Sequence, residues 1–454
     1  MEEIIKAQRA FFKTNQTKDI AFRIDKLKKL AQLLKDNQSQ LEEAIYLDFK
    51  KSAFDTYTNE LALVYNDIEE AIHQVKRWAS PQRKSTNWVN FPATSVVIPE
   101  PLGVSLIIGA WNYPYQLSFA PVVAAMAAGN TIILKPSELP AHTSSIMARL
   151  INNAFDPQYF KVIEGGIQET SDLLAQAFDK IFFTGSVPVG KIVYQAAAKY
   201  LTPVTLELGG KSPAIISACA DLKIAAKRLV WAKFLNAGQT CIAPDYLLVE
   251  QAVVTEFLAY LKQEITDSHF SFDNGNYVQI INEKNVHRLI AFIEPEKVVH
   301  GGSCRIEERY IEPTILYPVN PDDKVMQEEI FGPILPVMTY TNLDEAIAYI
   351  KDKPKPLSCY VFASKKAVSE KVLKEVSFGG GGVNEAVMHI TNSNMPFGGV
   401  GDSGIGSYHG IYGFQTFSHY KSVIKKSTLF ELNLKYFPRT ALKWRIIKWM
   451  LKLG

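Results

Sequence analysis

Apolar positions recur at helical spacing through the first 78 residues, as at Ile24, Leu27, Leu30 and Leu34, with Lys and Gln between them. That period predicts helices carrying one apolar stripe. It breaks at Ser80-Pro81, and residues 88–100 read as an extended excursion. From 103 to about 208 the pattern changes. Short apolar runs at 104–108, 131–134, 161–163, 180–183 and 204–206 alternate with helical stretches. Strand and helix taking turns predict parallel crossover units, hence a doubly wound α/β lobe. A second alternating series runs from about 211 to 412 and includes 214–216, 246–249 and 360–362. A chain of 454 residues exceeds what one hydrophobic core normally organises, in keeping with two lobes. It shows no internal repeat and no low-complexity segment.

Residues 101–134 carry no charge, a stretch long enough to cross a bilayer. Pro114 and Pro121 interrupt it, three glycines dilute it, and Asn112 and Asn130 are polar. A buried strand at 104–108, a small-residue helix at 118–128 and a second buried strand at 131–134 account for it better. The four cysteines, Cys219, Cys241, Cys304 and Cys359, are widely and irregularly spaced. They form neither a disulfide framework nor a Cys-x-x-Cys metal pair, so no metal site is expected and a reducing cytoplasm is. The N-terminus mixes charges and lacks the apolar core of a signal peptide.

Charge is unevenly placed. From 421 to 454 there are nine Lys/Arg against one acid, Glu431, a charge of +8 that leaves −5 for the rest of a chain whose net charge is +3. The main body therefore has no nucleic-acid footprint. After Pro438 a helical projection gathers Leu442, Ile446, Ile447, Trp449, Met450 and Leu453 on one face, with Arg445, Lys448 and Lys452 opposite; Lys443 intrudes on the apolar side. A basic amphipathic helix of this kind suits a membrane surface, and equally a groove on the protein body. It is too short and too charged to span a bilayer.

Candidate chemistry centres on Cys241, which ends Phe-Leu-Asn-Ala-Gly-Gln-Thr-Cys (234–241), and on Glu207 in Leu-Glu-Leu-Gly-Gly-Lys-Ser-Pro (206–213). A thiolate can attack an electrophilic carbon, and a separate carboxylate can then take a proton from water. Taken alone, a cysteine is more often a buried structural residue. Residues 181–192 read as strand, Gly turn and helix start, a junction that binds anions through backbone N–H groups and the helix dipole. The turn nearly spells a P-loop, with Gly185, Gly190 and Lys191, but Ile192 stands where Ser or Thr should hold magnesium. The Gly-x-Gly-x-x-Gly at 399–404 follows Asn-Met-Pro-Phe rather than a strand, so it reads as a glycine-rich loop packed near other backbone. Lys135 and Glu138, at the carboxyl end of a predicted parallel strand, either grip the vicinal hydroxyls of a ribose or form a solvated pair.

These pieces together closely resemble the NAD(P)-dependent aldehyde dehydrogenases. The matching runs are Trp-Asn-Tyr-Pro (111–114), Leu-Lys-Pro-Ser-Glu (134–138), Phe-Thr-Gly-Ser (183–186), the Glu207 and Cys241 runs, Glu-Glu-Ile-Phe-Gly-Pro (328–333) and Pro-Phe-Gly-Gly-Val-Gly (396–401). The short region before Trp111 resembles the class 3 branch. So do Gly-Ser-Tyr-His-Gly (406–410) and Phe-Ser-His (417–419). That branch is typically dimeric and handles medium- or long-chain and aromatic aldehydes.

The resemblance implies Cys241 as nucleophile, with Asn112 and the Cys241 backbone N–H as oxyanion donors and Glu207 as the base for hydrolysis. It implies Lys135 and Glu138 on the adenosine ribose, and Gly185 and Ser186 beside the pyrophosphate and nicotinamide end. Glu329 then holds the nicotinamide ribose, Phe331 packs beside the ring, and Tyr113 and Phe397 line the substrate tunnel. Glu138 would repel a 2′-phosphate, which favours NAD, although class 3 members often use NADP as well. The implied fold has two doubly wound lobes and a small β oligomerisation arm. Residues 1–80 and 103–208 form the cofactor domain, 209–412 the catalytic domain, 81–102 and 413–436 the arm, and 437–454 the tail. Glu207 argues against coenzyme A acylation, since members that pass the acyl group to that thiol typically lack it. The intact set of Cys241, Glu207, Asn112 and Glu329 argues against a non-catalytic structural protein with the same fold.

Overall fold

The computed structural model describes residues 1–452; Leu453, placed by the sequence on the apolar face of the tail, lies outside them. Two large sheets dominate. The first has six strands in the order Gly404–Ile405, Val204–Glu207, Lys180–Thr184, Val104–Ile108, Thr131–Lys135, Phe160–Val162. The chain steps from Val104–Ile108 outward to Thr131–Lys135 and Phe160–Val162, then returns to build Lys180–Thr184 and Val204–Glu207 on the other side. That reversal creates a crevice at the carboxyl ends of Val104–Ile108 and Lys180–Thr184, where open α/β sheets bind ligands. Trp111 and Asn112 leave one lip of it, and Gly185 and Ser186 the other.

Strands buried on both faces read as continuous apolar runs, which is why these were legible. All five residues of Val104–Ile108 and of Lys180–Thr184 are buried. The expected strand at 161–163 lies one residue earlier. The helix expected from 118 begins at Pro114, a residue suited to a first helical turn because the missing N–H is not needed there. Every residue of Pro114–Ala128 except Ala124 is buried, so its pattern carries no polar face. One strand of the first sheet went unread. Gly404–Ile405, in the stretch assigned to the second lobe, returns to pair antiparallel with Leu206 and Glu207. Two residues, one a glycine, offer no pattern to detect.

The second sheet has seven strands in the order Val298–His300, Thr314–Leu316, Ile334–Tyr340, Tyr246–Glu250, Pro213–Ile216, Ser358–Phe362, Gly380–Val383. Only the first of these pairs antiparallel. A three-stranded arm of Gln82–Lys84, Ala93–Pro101 and Ser418–Lys426 stands apart. The tail helix Ala441–Met450 forms as its periodicity predicts and buries none of its residues. Among the described residues no helix is long and apolar enough to cross a membrane.

Asn130 ties these parts together. Fully buried, it accepts the Gly103 N–H at 2.8 Å and donates to the Phe417 carbonyl at 2.9 Å, joining the first sheet to the root of the arm. Asn130→Ala strands the Gly103 N–H, while the Phe417 carbonyl keeps the Leu102 N–H at 3.4 Å; an unsatisfied buried partner costs about 1–3 kcal/mol. Urea unfolding should therefore show a loss of roughly 1–3 kcal/mol. A loss below about 0.5 kcal/mol would mean that water replaces the amide.

Candidate active site

Cys241 follows helix Leu222–Phe234 and the short turn Leu235–Gly238, just before strand Tyr246–Glu250. The turn is tightly wound. Asn236 and Ala237 both hold left-handed backbone, at φ 53° and 50°. Such a conformation costs a non-glycine residue roughly 1–2 kcal/mol. Gly238, at φ +72°, must be glycine, because a Cβ there would overlap the Gly332 carbonyl. Gln239 locks the turn: its amide donates to the carbonyls of Asn236 and Gln279, both at 3.1 Å, and its Oε1 accepts the Ile281 N–H at 3.0 Å.

The facing lobe reaches across to the same loop. Asn112, 3 % exposed, donates from Nδ2 to the Gln239 carbonyl at 3.0 Å, while Asn236 Nδ2 donates back to the Asn112 carbonyl at 3.0 Å. The Tyr113 hydroxyl bonds Thr240 Oγ1 at 2.7 Å. The sequence-predicted donor and nucleophile thus sit on one hydrogen-bonded assembly.

Glu207 ends strand Val204–Glu207 and is 3 % exposed. Neither carboxylate oxygen has a hydrogen-bond partner. Burial without compensation holds its proton well above the usual carboxylate range. Burial also pushes the Cys241 thiol up to about 12; the Glu329 and Glu207 carboxylates add to the shift, and backbone N–H groups oppose it. Glu329 is pushed up to about 8, first by burial and then by Asp245, while the Gly210 N–H, Lys211 and Arg288 act the other way. Its carboxylate fills the space where a Gly209 side chain would stand. The resting site therefore holds a neutral thiol at pH 7.

Glu329 and Phe331 owe their placement to residues the sequence did not flag for that role. Lys211 Nζ pairs with Asp245 Oδ2 at 2.5 Å and donates to the carbonyls of Val325 and Glu328, both at 2.9 Å. Asp245 Oδ1 accepts the Ile330 N–H at 3.0 Å. Phe331, in left-handed backbone at φ 49°, meets the Trp111 ring edge-on at 5.3 Å between centroids.

The remaining candidates lie around the crevice. The Gly185 N–H donates to the Glu207 carbonyl at 3.0 Å, tying the anion turn to the base. Ser186 caps helix Val187–Ala198 without using its side chain, so the first-turn N–H groups remain available to an anion. Lys135 is 1 % exposed and donates to the Pro136 carbonyl at 2.7 Å, while Glu138, 3.7 Å away, is half exposed. A buried ammonium beside an open carboxylate does not match a solvated pair. Phe397 stacks on His409 at 5.3 Å and on His389 at 6.0 Å. Burial holds both imidazoles down at about 4. These histidines and Tyr408 were not singled out, although Ser-Tyr-His was visible as a motif. Among the described residues no group of three or more His, Cys, Asp or Glu gathers where a metal could bind.

With this geometry in view, comparison with known proteins decides the family. Residues 1–423 match the Aldehyde dehydrogenase family. The chain is an aldehyde dehydrogenase family member. It is 47% identical over 444 residues to the 4,4′-diaponeurosporen-aldehyde dehydrogenase of Staphylococcus aureus, covering 97% of this chain and 96% of that one. It is 42% identical over 433 residues to the rat (Rattus norvegicus) aldehyde dehydrogenase described as dimeric and NADP-preferring, covering 95% and 96%. Its fold superposes on the substrate-bound state of Staphylococcus aureus AldH with a TM-score of 0.97 at 46% identity, covering 99% of both chains.

The unpaired base has a measurable consequence for this aldehyde dehydrogenase. A glutamate in an unfolded chain titrates near about 4.3. Glu207 binds its proton more tightly when folded, so its contribution to stability falls as pH rises from that value toward the folded one. Glu207→Gln should raise the Tm, and by more at about pH 8 than at about pH 5. A gain that is equal at both, or reversed, would mean that the carboxylate is solvated.

Proposed function

We propose that the protein oxidises a hydrophobic aldehyde to the carboxylic acid with NAD(P), through a covalent intermediate on Cys241. The observation that carries this reading is the orphaned, buried carboxylate of Glu207 in the same site as a buried thiol. In its carboxylate form Glu207 takes the thiol proton and leaves a thiolate, which attacks the aldehyde carbon to give a thiohemiacetal. The second N–H of the Asn112 amide and the Cys241 backbone N–H face the resulting oxyanion, where preorganised donors act most strongly. The nicotinamide, when bound, supplies the acceptor for the hydride that leaves this carbon. Glu207 loses that proton to solvent and, again a carboxylate, takes a proton from water as the water attacks the Cys241 thioester; it returns this proton to the departing thiolate, which frees the acid and the thiol.

The crevice residues fit such a cofactor. The free N–H groups at Ser186–Val187 suit a pyrophosphate, Lys135 and Glu138 suit ribose hydroxyls, and Glu329 suits the second ribose. Glu138 favours NAD over NADP by charge, while the name of the rat relative marks NADP use in a protein of this type. On this reading residues 1–80 and 103–208 carry the cofactor, 209–412 the catalytic cysteine, and 81–102 with 413–436 a dimer arm. The outer edge of the arm strand Ser418–Lys426 and the dimeric description of the rat relative support a homodimer.

A relative and the tail favour apolar aldehydes. A cavity of about 400 Å³ beside His409, which stacks on Phe397, is lined mainly by polar side chains, among them Asn66, Asp67, Glu70, Gln116 and Asn394, and so does not itself select for them. Burial, and then Glu70, push the Asp67 carboxyl up to about 7, so this wall carries reduced charge. The Staphylococcus relative is named for a carotenoid aldehyde, an extended apolar substrate. Tail helix Ala441–Met450 leaves Leu442, Trp444 and Trp449 exposed at 67, 60 and 65%. With its cluster of Lys and Arg it would hold the enzyme at an anionic cytoplasmic membrane surface from which such aldehydes are drawn.

Reduced cofactor formed from NAD and hexanal should appear by absorbance with the native protein and vanish in Cys241→Ser. Glu207→Gln should give at most one equivalent per site and a Cys241 acyl adduct by mass spectrometry. Full turnover by that variant would remove Glu207 from the hydrolytic step. Deleting residues after Pro438 should lower binding to anionic liposomes and slow turnover of long-chain, but not short-chain, aldehydes. Unchanged liposome binding and unchanged chain-length preference would sink the membrane reading.

A further inference from the structure

Lys51 and Glu60 form an ion pair that no step above uses. Nζ and Oε1 are 2.6 Å apart, with the side chains 1 % and 0 % exposed. Dehydrating two charges costs several kcal/mol per ion, so a buried pair is a poor device for stability alone. What it touches is more telling. Glu60 sits in the π-helical turn Tyr57–Leu61, an irregularity that frequently marks functional positions. Its second oxygen accepts the N–H groups of Tyr115 at 2.8 Å and Gln116 at 3.4 Å. These are first-turn donors of helix Pro114–Ala128, where a carboxylate also meets the positive end of the helix dipole. Lys51 Nζ lies 4.2 Å from the centroid of the Tyr113 ring, within cation–π reach.

Asn112 immediately precedes these two anchored residues. On its far side it is held by Gln239 and Asn236, while Tyr113 is held by Thr240. The amide is thus fixed between the cysteine loop and the Lys51–Glu60 pair. We propose that Lys51 and Glu60 are positioning residues for the oxyanion donor. They hold the start of helix Pro114–Ala128 and the Tyr113 ring so that the Asn112 amide meets the developing charge at Cys241. The proposal rests on the reading of Asn112 as that donor.

The effect belongs on the chemical step, since misplacing a reacting group by about 1 Å can slow catalysis by about 100-fold. With hexanal and saturating NAD, Glu60→Gln and Lys51→Met should each lower kcat by about 10- to 100-fold and change KM by less than about threefold. In an Asn112→Ala background the same substitutions should add less than about threefold, because the group they position is gone. The double variant Lys51→Met/Glu60→Leu separates positioning from folding. Replacing a buried ion pair with apolar groups is often neutral for stability, but Glu60→Leu also orphans the Tyr115 and Gln116 N–H groups. Its Tm should therefore lie below native and above that of Lys51→Met alone, with the protein folded at the assay temperature while kcat stays low. Native kcat in this double variant, or losses that multiply undiminished onto Asn112→Ala, overturns the positioning role. A native kcat in Asn112→Ala itself overturns the oxyanion reading and the proposal with it. A normal loss in Asn112→Ala beside an unchanged Glu60→Gln overturns the positioning alone.

Discussion

Everything at the site depends on one buried weld between the two lobes. The Asn112 amide bonds the Gln239 carbonyl, the Asn236 amide bonds the Asn112 carbonyl, and Tyr113 bonds Thr240. Each bond is worth about 1 kcal/mol net, yet breaking one leaves a polar group buried without a partner, at a higher cost. The strain in Asn236 and Ala237 persists because these bonds over-determine the turn. Because the weld starts at the switch point of the first sheet and ends beside Cys241, it registers the ligand crevice of one lobe against the nucleophile of the other.

The buried acids then divide by whether they have partners. Glu60 is taken by Lys51 and two helix N–H groups, and Asp245 by Lys211 and the Ile330 N–H. Both act as fixtures. Glu207 has no partner for either oxygen. A hydrogen bond to its charged form would lower its affinity for a proton and so weaken it as a base. The lack of a partner is what suits it to move protons, at a cost in stability typical of active sites.

How far the sequence could be read follows from the same physics. Buried parallel strands were visible because burial on both faces demands continuous apolar runs, and each predicted strand of the first series lies within a residue of its place. Cys241, Glu207 and Asn112 stood in recognisable runs; the structure bonds Asn112 to the Cys241 loop and sets Glu207 near enough to raise the proton affinity of its thiol. Lys51 and Glu60 escaped notice because charged residues in a polar-looking stretch read as solvated; Asp245, alone among Ile242-Ala-Pro and Tyr246-Leu-Leu-Val, was the more legible exception. Only the fold reveals that Lys51 and Glu60, nine residues apart, face inward. Gly404–Ile405 escaped because pairing through backbone alone leaves no side-chain signature. The tail was legible as a helix, while its freedom from the protein body was not.

The neutrality of the resting thiol also bears on which aldehyde the site suits. A thiolate waiting in the pocket would hold water, and an apolar aldehyde would have to strip it before reacting. With the Cys241 thiol protonated at rest, such an aldehyde meets less charge to dehydrate. Charge then develops only on the reacting atoms, and only where donors are already fixed. An Asn amide carries two N–H donors, and Asn112 commits one to Gln239. The committed donor aims the other. Moving Asn112 by even a fraction of its hydrogen-bond length would weaken the bond and misdirect the free N–H together, so the aim of that donor and the rigidity of the weld are one property.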